Sequence, residues 1–79
     1  MLHKNITVYT TSQCPYCMML KGFLSENNIP FQEVNVEQDP AAMQRVVNQT
    51  GQMGDPQTEI NGRWVIGFDP ERIVATLNQ

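Results

Sequence analysis

Hydrophobic residues follow two different spacings along this chain, and turn-forming residues separate the segments. Apolar or β-branched side chains with strand-like spacing occupy four short segments, which indicates buried or half-buried strands. The last two segments flank Asn61-Gly62, a dipeptide that is the strongest short-range signal for a β-hairpin. The pattern predicts strands over Ile6–Thr10, Phe31–Val36, Gln57–Ile60 and Arg63–Ile66.

Helical spacing occurs in three segments that each begin at a proline. The predicted helices are Pro15–Glu26, Pro40 to about Thr50, and a last helix that opens at Pro70. A proline suits the first turn of a helix because no hydrogen bond is lost there. Asp39 and Asp69 stand immediately before two of these prolines, where an aspartate caps a helix N-terminus.

The inward faces of the helices follow from the same spacing. In the first helix, apolar residues recur at i and i+4 and predict a buried stripe. In the last helix the residues expected to face the sheet are Ile73, Val74 and Leu77. The stripe of the first helix comprises Met19, Leu20, Phe23 and Leu24. The pair Met18-Met19 is interpreted as core filler.

The order of elements is β-α-β-α-β-β-α, which predicts an α/β fold. A helix between the first two strands requires a crossover connection and hence a parallel strand pair. The chain has 79 residues and no internal repeat, linker or low-complexity tract. This length predicts one domain spanning residues 1–79.

Composition and charge exclude several classes of function. The chain is 41% hydrophobic and 16% charged, as ordinary globular proteins are. Its net charge of −3 comes without a basic run, which argues against a nucleic-acid partner. No apolar stretch approaches the ~18 residues of a membrane span. The segment Met1–Asn5 lacks a signal-peptide core, so we expect a cytoplasmic protein, where a cysteine pair is reduced, catalytic or sensing.

The chain's two cysteines, Cys14 and Cys17, lie at the junction between the first strand and the first helix. One helical turn would place their Cβ atoms roughly 5–6 Å apart, so a small adjustment makes or breaks a disulfide. A helix N-terminus favours an anion and lowers a thiol pKa below its free value of about 8.5. This arrangement predicts a thiol–disulfide redox site.

A structural disulfide and a zinc site are two other uses of the cysteine pair. A structural disulfide across so short a loop would stabilise the fold by only ~2 kcal/mol. A zinc site would need further ligands, and besides carboxylates the chain offers only His3, which lies outside every motif. Metal or cluster ligation shared across a dimer remains the main alternative to the redox pair.

Asp55-Pro56 is the one Asp-Pro pair that does not open a predicted helix. It follows the flexible run Gly51–Gly54 and precedes a strand. An X-Pro bond is cis in only about 5–6% of cases. The residues alone therefore favour a trans turn proline at the start of the third strand.

Cys14-Pro15-Tyr16-Cys17 after the first strand of this element order resembles the active-site motif of the glutaredoxins. The resemblance covers nearly the whole chain and implies a thioredoxin-like fold, a four-stranded mixed sheet flanked by three helices. It implies that Cys14 attacks a target disulfide and that Cys17 resolves the mixed disulfide. It also implies that Pro56 is cis and faces the cysteines. The substrate-binding positions that it suggests are Thr11, Tyr16, Asp55, Pro56, Gly67, Phe68 and Asp69.

Two branches of this family differ in their electron source. Glutathione-using glutaredoxins carry a lysine where this chain has Thr11, and a double glycine where it reads Gly67-Phe68. Residues 64–73 look more like the NrdH-redoxins, which thioredoxin reductase reduces and which deliver electrons to ribonucleotide reductase. The Cys-Pro-Tyr-Cys motif itself is more typical of glutaredoxins. The resemblance thus favours a monomeric NrdH-like carrier without a cofactor, with glutathione as the alternative reductant.

Within the predicted site, Asp55 is the one residue that departs from the family's usual sequence. The family usually has Thr or Val before the cis proline, and the backbone of that residue pairs with the substrate chain. If Pro56 faces the cysteines, the Asp55 carboxylate lies near the sulfurs and opposes a thiolate. Rival functions are an iron–sulfur cluster or scaffold module bridging a dimer, and a redox sensor without turnover. Trp64 and Phe68 are candidates for a docking surface, although for each a place in the core or as a scattered exposed aromatic residue is favoured.

Overall fold

The computed structural model describes residues 5–78, so His3 and most of the N-terminal segment considered above lie outside the described residues. The element order agrees with the prediction. The strands are β1 (Ile6–Thr10), β2 (Gln32–Asn35), β3 (Gln57–Ile60) and β4 (Arg63–Ile66), and the helices are α1 (Pro15–Glu26), α2 (Pro40–Thr50) and α3 (Pro70–Leu77). None of these described helices has the length and apolarity needed to cross a bilayer.

The four strands form one mixed sheet in the order β2-β1-β3-β4. β1 pairs in parallel with β2, whereas β3 runs antiparallel to both β1 and β4. In the β1–β3 register, Tyr9 lies opposite Gln57, so the end of β1 meets the start of β3. This pairing brings the segment that leads from β1 to α1 next to Asp55 and Pro56.

The turn between β3 and β4 has the backbone that its sequence demands. Asn61 has φ 50° and Gly62 has φ 87°. A two-residue hairpin turn with positive φ at both central residues favours Asn-Gly, since other residues are strained there. The backbone N–H of Asn5 donates to Asn61 Oδ1 at 2.8 Å, and the N–H of Asn61 donates to the Asn5 carbonyl at 3.0 Å. The predicted hairpin is confirmed.

Two hydrophobic clusters hold the helices on the sheet. The larger one joins α1 and α3 to one face, and its buried members are Ile6, Val8, Leu20, Leu24, Ile60, Val65 and Ile73. The smaller one joins α2 to the other face through Val46, which packs with Tyr9 and Val36. Each fully buried aliphatic side chain contributes about 1.5–3 kcal/mol. The larger cluster thus anchors α1, and with it the cysteine pair at its N-terminus.

The predicted apolar stripe of α1 is wrong at Met19. Met19 is 51% exposed and Met18 is 71% exposed, so their interpretation as core filler is also wrong. The buried residues of the helix are instead Cys17, Leu20 and Leu24. Their spacing of three and four residues defines one helix face, and successive residues rotate by about 100°, which turns both methionines outward.

The inward face of α3 and the ends of β2 also differ from expectation. Ile73 is buried as predicted, but Val74 is 44% exposed and Thr76 is buried in its place. β2 is one residue shorter than predicted at each end, although Phe31 and Val36 still pack in the two clusters. The alternation of apolar residues indicates which side chains are buried. In β2 the buried or half-buried side chains extend one residue beyond the strand at each end, so the alternation predicts a strand that is too long.

Trp64 packs against the smaller cluster and does not form a free apolar surface. Its ring stacks on Tyr9 with 5.4 Å between ring centroids. The guanidinium of Arg45 lies 5.9 Å from the same ring centroid. Trp64 is therefore part of the packing between α2 and the sheet, which agrees with the core interpretation.

Candidate active site

The cysteine pair sits at the N-terminus of α1, where the sequence predicts it. Cys14 is the N-cap residue, with an extended backbone at φ −144° and ψ 94°, and Pro15 begins the helix. Cys17 lies one turn further on, and the two Cα atoms are 5.2 Å apart. The two residues form a disulfide. The local geometry thus allows the pair to open and close with little backbone movement.

The two sulfurs differ in exposure and in hydrogen bonding. Cys14 is 9% exposed, while Cys17 is only 2% exposed. The backbone N–H of Cys17 donates to Cys14 Sγ at 3.1 Å. In the reduced protein, such a donor at a helix N-terminus stabilises negative charge on the sulfur that accepts it. The arrangement suits Cys14 as the attacking thiolate and Cys17 as the resolving thiol.

Pro56 is buried and follows a cis peptide bond. This agrees with the family resemblance and not with the trans bond that the residues alone favour. The Pro56 carbonyl accepts a hydrogen bond at 2.8 Å from the N–H of Gly67, whose φ is 81°. Such a φ favours glycine, because a side chain there is strained. This hydrogen bond connects the turn before α3 to the segment that faces the cysteines.

Asp55 places a half-buried carboxylate beside the disulfide. Its Oδ2 accepts a hydrogen bond from Thr11 Oγ1 at 2.7 Å and lies 3.5 Å from Cys17 Sγ. A disulfide sulfur carries no proton, so the second contact becomes a hydrogen bond only when Cys17 is a thiol. The expectation that this carboxylate lies near the sulfurs is met. Thr11 contacts the carboxylate and is not hydrogen-bonded to the sulfurs themselves.

Most of the other predicted substrate-binding residues meet in one open cleft next to the disulfide. Tyr16 stands at its edge with 61% of its surface exposed. Phe68 is half-buried and packs against the larger cluster. The cleft is lined by Tyr16, Asp55, Pro56, Gly67 and Phe68. Asp69 is not among these residues: its carboxylate accepts from the N–H of Arg72 at 3.1 Å and caps α3.

A second carboxylate near the site was not identified from the sequence. Glu37 Oε1 accepts a hydrogen bond at 2.9 Å from the N–H of Ser12, and this bond holds the pKa of the Glu37 carboxyl below its usual range. The signal was available, since Ser12 and Glu37 follow two parallel strands that end at the same edge of the sheet. Within residues 5–78 the ion pairs are Lys21–Glu33 and Arg45–Glu59, and neither includes Asp55 or Glu37.

Comparison with known proteins identifies a family model and several relatives that match this chain. The family model for glutaredoxin matches residues 6–65. A glutaredoxin-like 8.6 kDa protein encoded in the rubredoxin operon of Clostridium pasteurianum is 34% identical over 68 residues, which cover 86% of this chain and 91% of that protein. The glutaredoxin-like protein NrdH of Lactococcus lactis is 38% identical over 42 residues, or 53% of this chain and 58% of that protein.

A solved structure agrees with these sequence relatives. The NrdH-redoxin of Escherichia coli, described as a glutaredoxin-like protein with a thioredoxin-like activity profile, superimposes with a TM-score of 0.83 at 27% identity. The match covers 90% of this chain and 92% of that one. It confirms the thioredoxin-like fold. With the family match over most of the chain and a Cys-Pro-Tyr-Cys disulfide at the head of α1, the protein belongs to the glutaredoxin family of thiol–disulfide oxidoreductases.

Proposed function

We propose that this protein is a dithiol electron carrier of the NrdH type. Thioredoxin reductase reduces its disulfide, and the resulting dithiol reduces disulfides in proteins such as ribonucleotide reductase. The observation that carries the proposal is the contact between Thr11 and Asp55. At position 11, where a glutathione-using relative carries a lysine, this chain has a hydroxyl that is hydrogen-bonded to a carboxylate.

The charge at this position works against glutathione. Glutathione has two carboxylates, and a lysine at position 11 would offer one of them a cation. Hydrogen bonds to charged groups contribute roughly 1.5–3 kcal/mol, so losing one weakens binding by about tenfold or more. Here Thr11 already donates to Asp55, and that carboxylate repels the ligand.

The proposed reaction uses the two cysteines in sequence. The Cys14 thiolate attacks one sulfur of a target disulfide, forms a mixed disulfide and releases the other target sulfur as a thiolate. Cys17 loses its proton and attacks Cys14 Sγ, and the second target sulfur leaves with the electron pair of the broken bond. The target gains two electrons and two protons, and the Cys14–Cys17 disulfide is formed. The reductase then returns two electrons to this disulfide.

The relatives include this branch of the family. Proteins named NrdH occur among both the sequence relatives and the solved structures that this chain resembles. One of these is described as having a thioredoxin-like activity profile. That description concerns the neighbour, and it makes thioredoxin reductase the first electron source to test here.

The test is an NADPH-coupled assay with two electron sources. Thioredoxin reductase should reduce the wild-type protein faster than glutathione with glutathione reductase does. The double variant Thr11→Lys/Asp55→Val should raise the glutathione rate by about tenfold, since it restores a cation and removes a carboxylate. Glu26→Lys is the matched control because it makes the same change in net charge at the other end of α1. Turnover with glutathione alone, and none with thioredoxin reductase, would overturn the proposal.

The Cys-Pro-Tyr-Cys motif favours a second candidate, a glutathione-dependent dithiol glutaredoxin. The same assay separates the two, because this candidate predicts turnover with glutathione in the wild-type protein. A cluster-binding module would instead show visible absorbance in the freshly purified protein. Asp55 disfavours that module, because a further negative charge beside bridging thiolates costs electrostatic energy.

A further inference from the structure

Asp55 brings a carboxylate oxygen close to both cysteine sulfurs, a juxtaposition that the sequence alone did not reveal. Among residues 5–78, one group of three or more Cys, His, Asp or Glu side chains has the spacing for a shared metal ion: Cys14, Cys17 and Asp55. Their ligand atoms all lie within 4.8 Å of one another. The set contains two sulfurs and one carboxylate oxygen, which are ordinary zinc ligands.

The spacing fits a tetrahedral zinc ion. With Zn–S at about 2.3 Å and Zn–O at about 2.1 Å, a sulfur and an oxygen on one tetrahedral ion lie about 3.5–3.6 Å apart. Cys17 Sγ and Asp55 Oδ2 are 3.5 Å apart. Two sulfurs on the same ion would be about 3.8 Å apart, so the disulfide must first be reduced and the sulfurs must separate. The distance between the Asp55 oxygen and Cys17 Sγ thus matches one edge of such a tetrahedron.

Hydrogen bonds support two of the three ligands, and the third side chain, Cys17, is buried beside them. Thr11 donates to Asp55 Oδ2 at 2.7 Å and fixes the carboxylate, while the oxygen keeps a further lone pair for a metal. The N–H of Cys17 donates to Cys14 Sγ at 3.1 Å and stabilises a thiolate there. Asp55 also lines the open cleft, from which a fourth ligand such as water has access.

We propose that the reduced protein binds one Zn²⁺ ion per chain through Cys14, Cys17 and Asp55. Binding releases to solvent the protons that the two thiols still carry, and it transfers no electrons. Zinc and the disulfide exclude each other, since both use the same sulfurs. The bound ion masks the dithiol from disulfide substrates. This inference is independent of which reductant the protein uses.

The experiment is a zinc titration of the protein reduced with dithiothreitol and desalted without oxygen, read with a chromophoric zinc indicator. The wild type should bind one zinc ion per chain. Asp55→Asn, which keeps the side-chain shape but removes the carboxylate ligand, should bind about a hundredfold more weakly. Thr11→Val, which removes a residue that orients this ligand, should bind about tenfold more weakly. Glu26→Gln is the control, because it removes one negative charge about 18 Å from Cys14 along α1 and should bind like the wild type.

Two further readouts are independent of the indicator. Co²⁺ should give the intense visible bands of a four-coordinate site in the wild type and weaker bands in Asp55→Asn. One equivalent of zinc should slow alkylation of Cys14, and EDTA should restore its rate. Equal zinc affinity in the wild type and Asp55→Asn would show that Asp55 is not a ligand. One zinc ion per two chains would show a site shared between copies, and either result overturns the proposal.

Discussion

Asp55 and Glu59 are two carboxylates four residues apart at β3, and their surroundings differ in almost every respect. Both oxygens of Glu59 accept hydrogen bonds from Arg45, at 2.8 and 3.0 Å, and its Oε1 also accepts from the hydroxyl of Tyr9 at 3.3 Å. Asp55 accepts from Thr11 and faces Cys17 Sγ, and it has no ion-pair partner within residues 5–78.

The charge of Glu59 therefore has a structural role, whereas the charge of Asp55 is free to act on the cysteines. Hydrogen bonds from Arg45 hold the pKa of the Glu59 carboxyl below its usual range. Burial, followed by the Glu59 charge, raises the pKa of Tyr9. The charges of Arg45 and Glu59 neutralise each other, and this ion pair joins α2 to the sheet. The charge of Asp55 is not neutralised in this way, so it is available to influence the sulfurs or a metal ion.

The largest expected effects come from the cysteines. Cys17→Ser should form a mixed disulfide with a target and stop there, because attack needs only Cys14. Cys14→Ser should trap nothing, and either variant should abolish dithiol turnover. The measurement is capture of a disulfide-containing target on non-reducing gels and by mass spectrometry. Faster alkylation of Cys17 than of Cys14 in the reduced wild type would reverse the two roles.

Glu59→Gln should cost about 1 kcal/mol of stability at pH 7, because the Arg45 pair is bidentate yet partly exposed. Since the folded pKa of Glu59 is lowered, its contribution is complete above the unfolded value of about 4.3 and is lost as the pH falls through the folded pKa. The wild type and the variant should therefore converge at acid pH. Urea unfolding at pH 7 and pH 3 checks both points.

Asp55→Asn is the matched variant for that comparison. It should change stability by less than about 0.5 kcal/mol, because no ion pair is broken. A loss as large as that of Glu59→Gln, with the same pH dependence, would mean that the two carboxylates do not differ as the structure indicates.

A further stability effect concerns the hydrogen bond from Thr11 to Asp55. Thr11→Val should cost about 0.5–1 kcal/mol in the wild type and close to nothing in Asp55→Val, because its acceptor is then absent. A double-mutant cycle by urea unfolding measures this coupling. Equal costs in both backgrounds would show that the hydroxyl acts independently of Asp55.

Local signals predicted most of the fold. Asn61-Gly62 fixed the hairpin, and Asp39 and Asp69 cap α2 and α3 as expected, because these features depend only on neighbouring residues. The cysteine pair was placed correctly for the same reason. The outward methionines were missed, because the sequence of α1 offers several apolar residues and only packing decides which of them face the sheet.

The chemistry around the cysteines depends on contacts that are distant in sequence. Thr11 and Asp55 meet because β1 and β3 pair antiparallel, and Ser12 meets Glu37 because β1 and β2 pair in parallel. The sequence identified Asp55 as unusual only through family resemblance. Its hydrogen bond to Thr11 and its distance from Cys17 required the three-dimensional structure.

The most direct test of Asp55 as an active charge is the pH dependence of Cys14 alkylation in the wild type and in Asp55→Val. Two negative charges about 4 Å apart repel by roughly 4 kcal/mol at an effective dielectric of about 20, and solvent reduces this considerably. A residual of about 1.4 kcal/mol shifts a titration by one pH unit. The wild type, Asp55→Val and the control Glu26→Gln are reduced and kept in EDTA, and alkylation is followed by mass spectrometry. The midpoint should fall by up to about one pH unit in Asp55→Val and stay unchanged in Glu26→Gln, whereas superimposable curves for all three proteins would contradict the account.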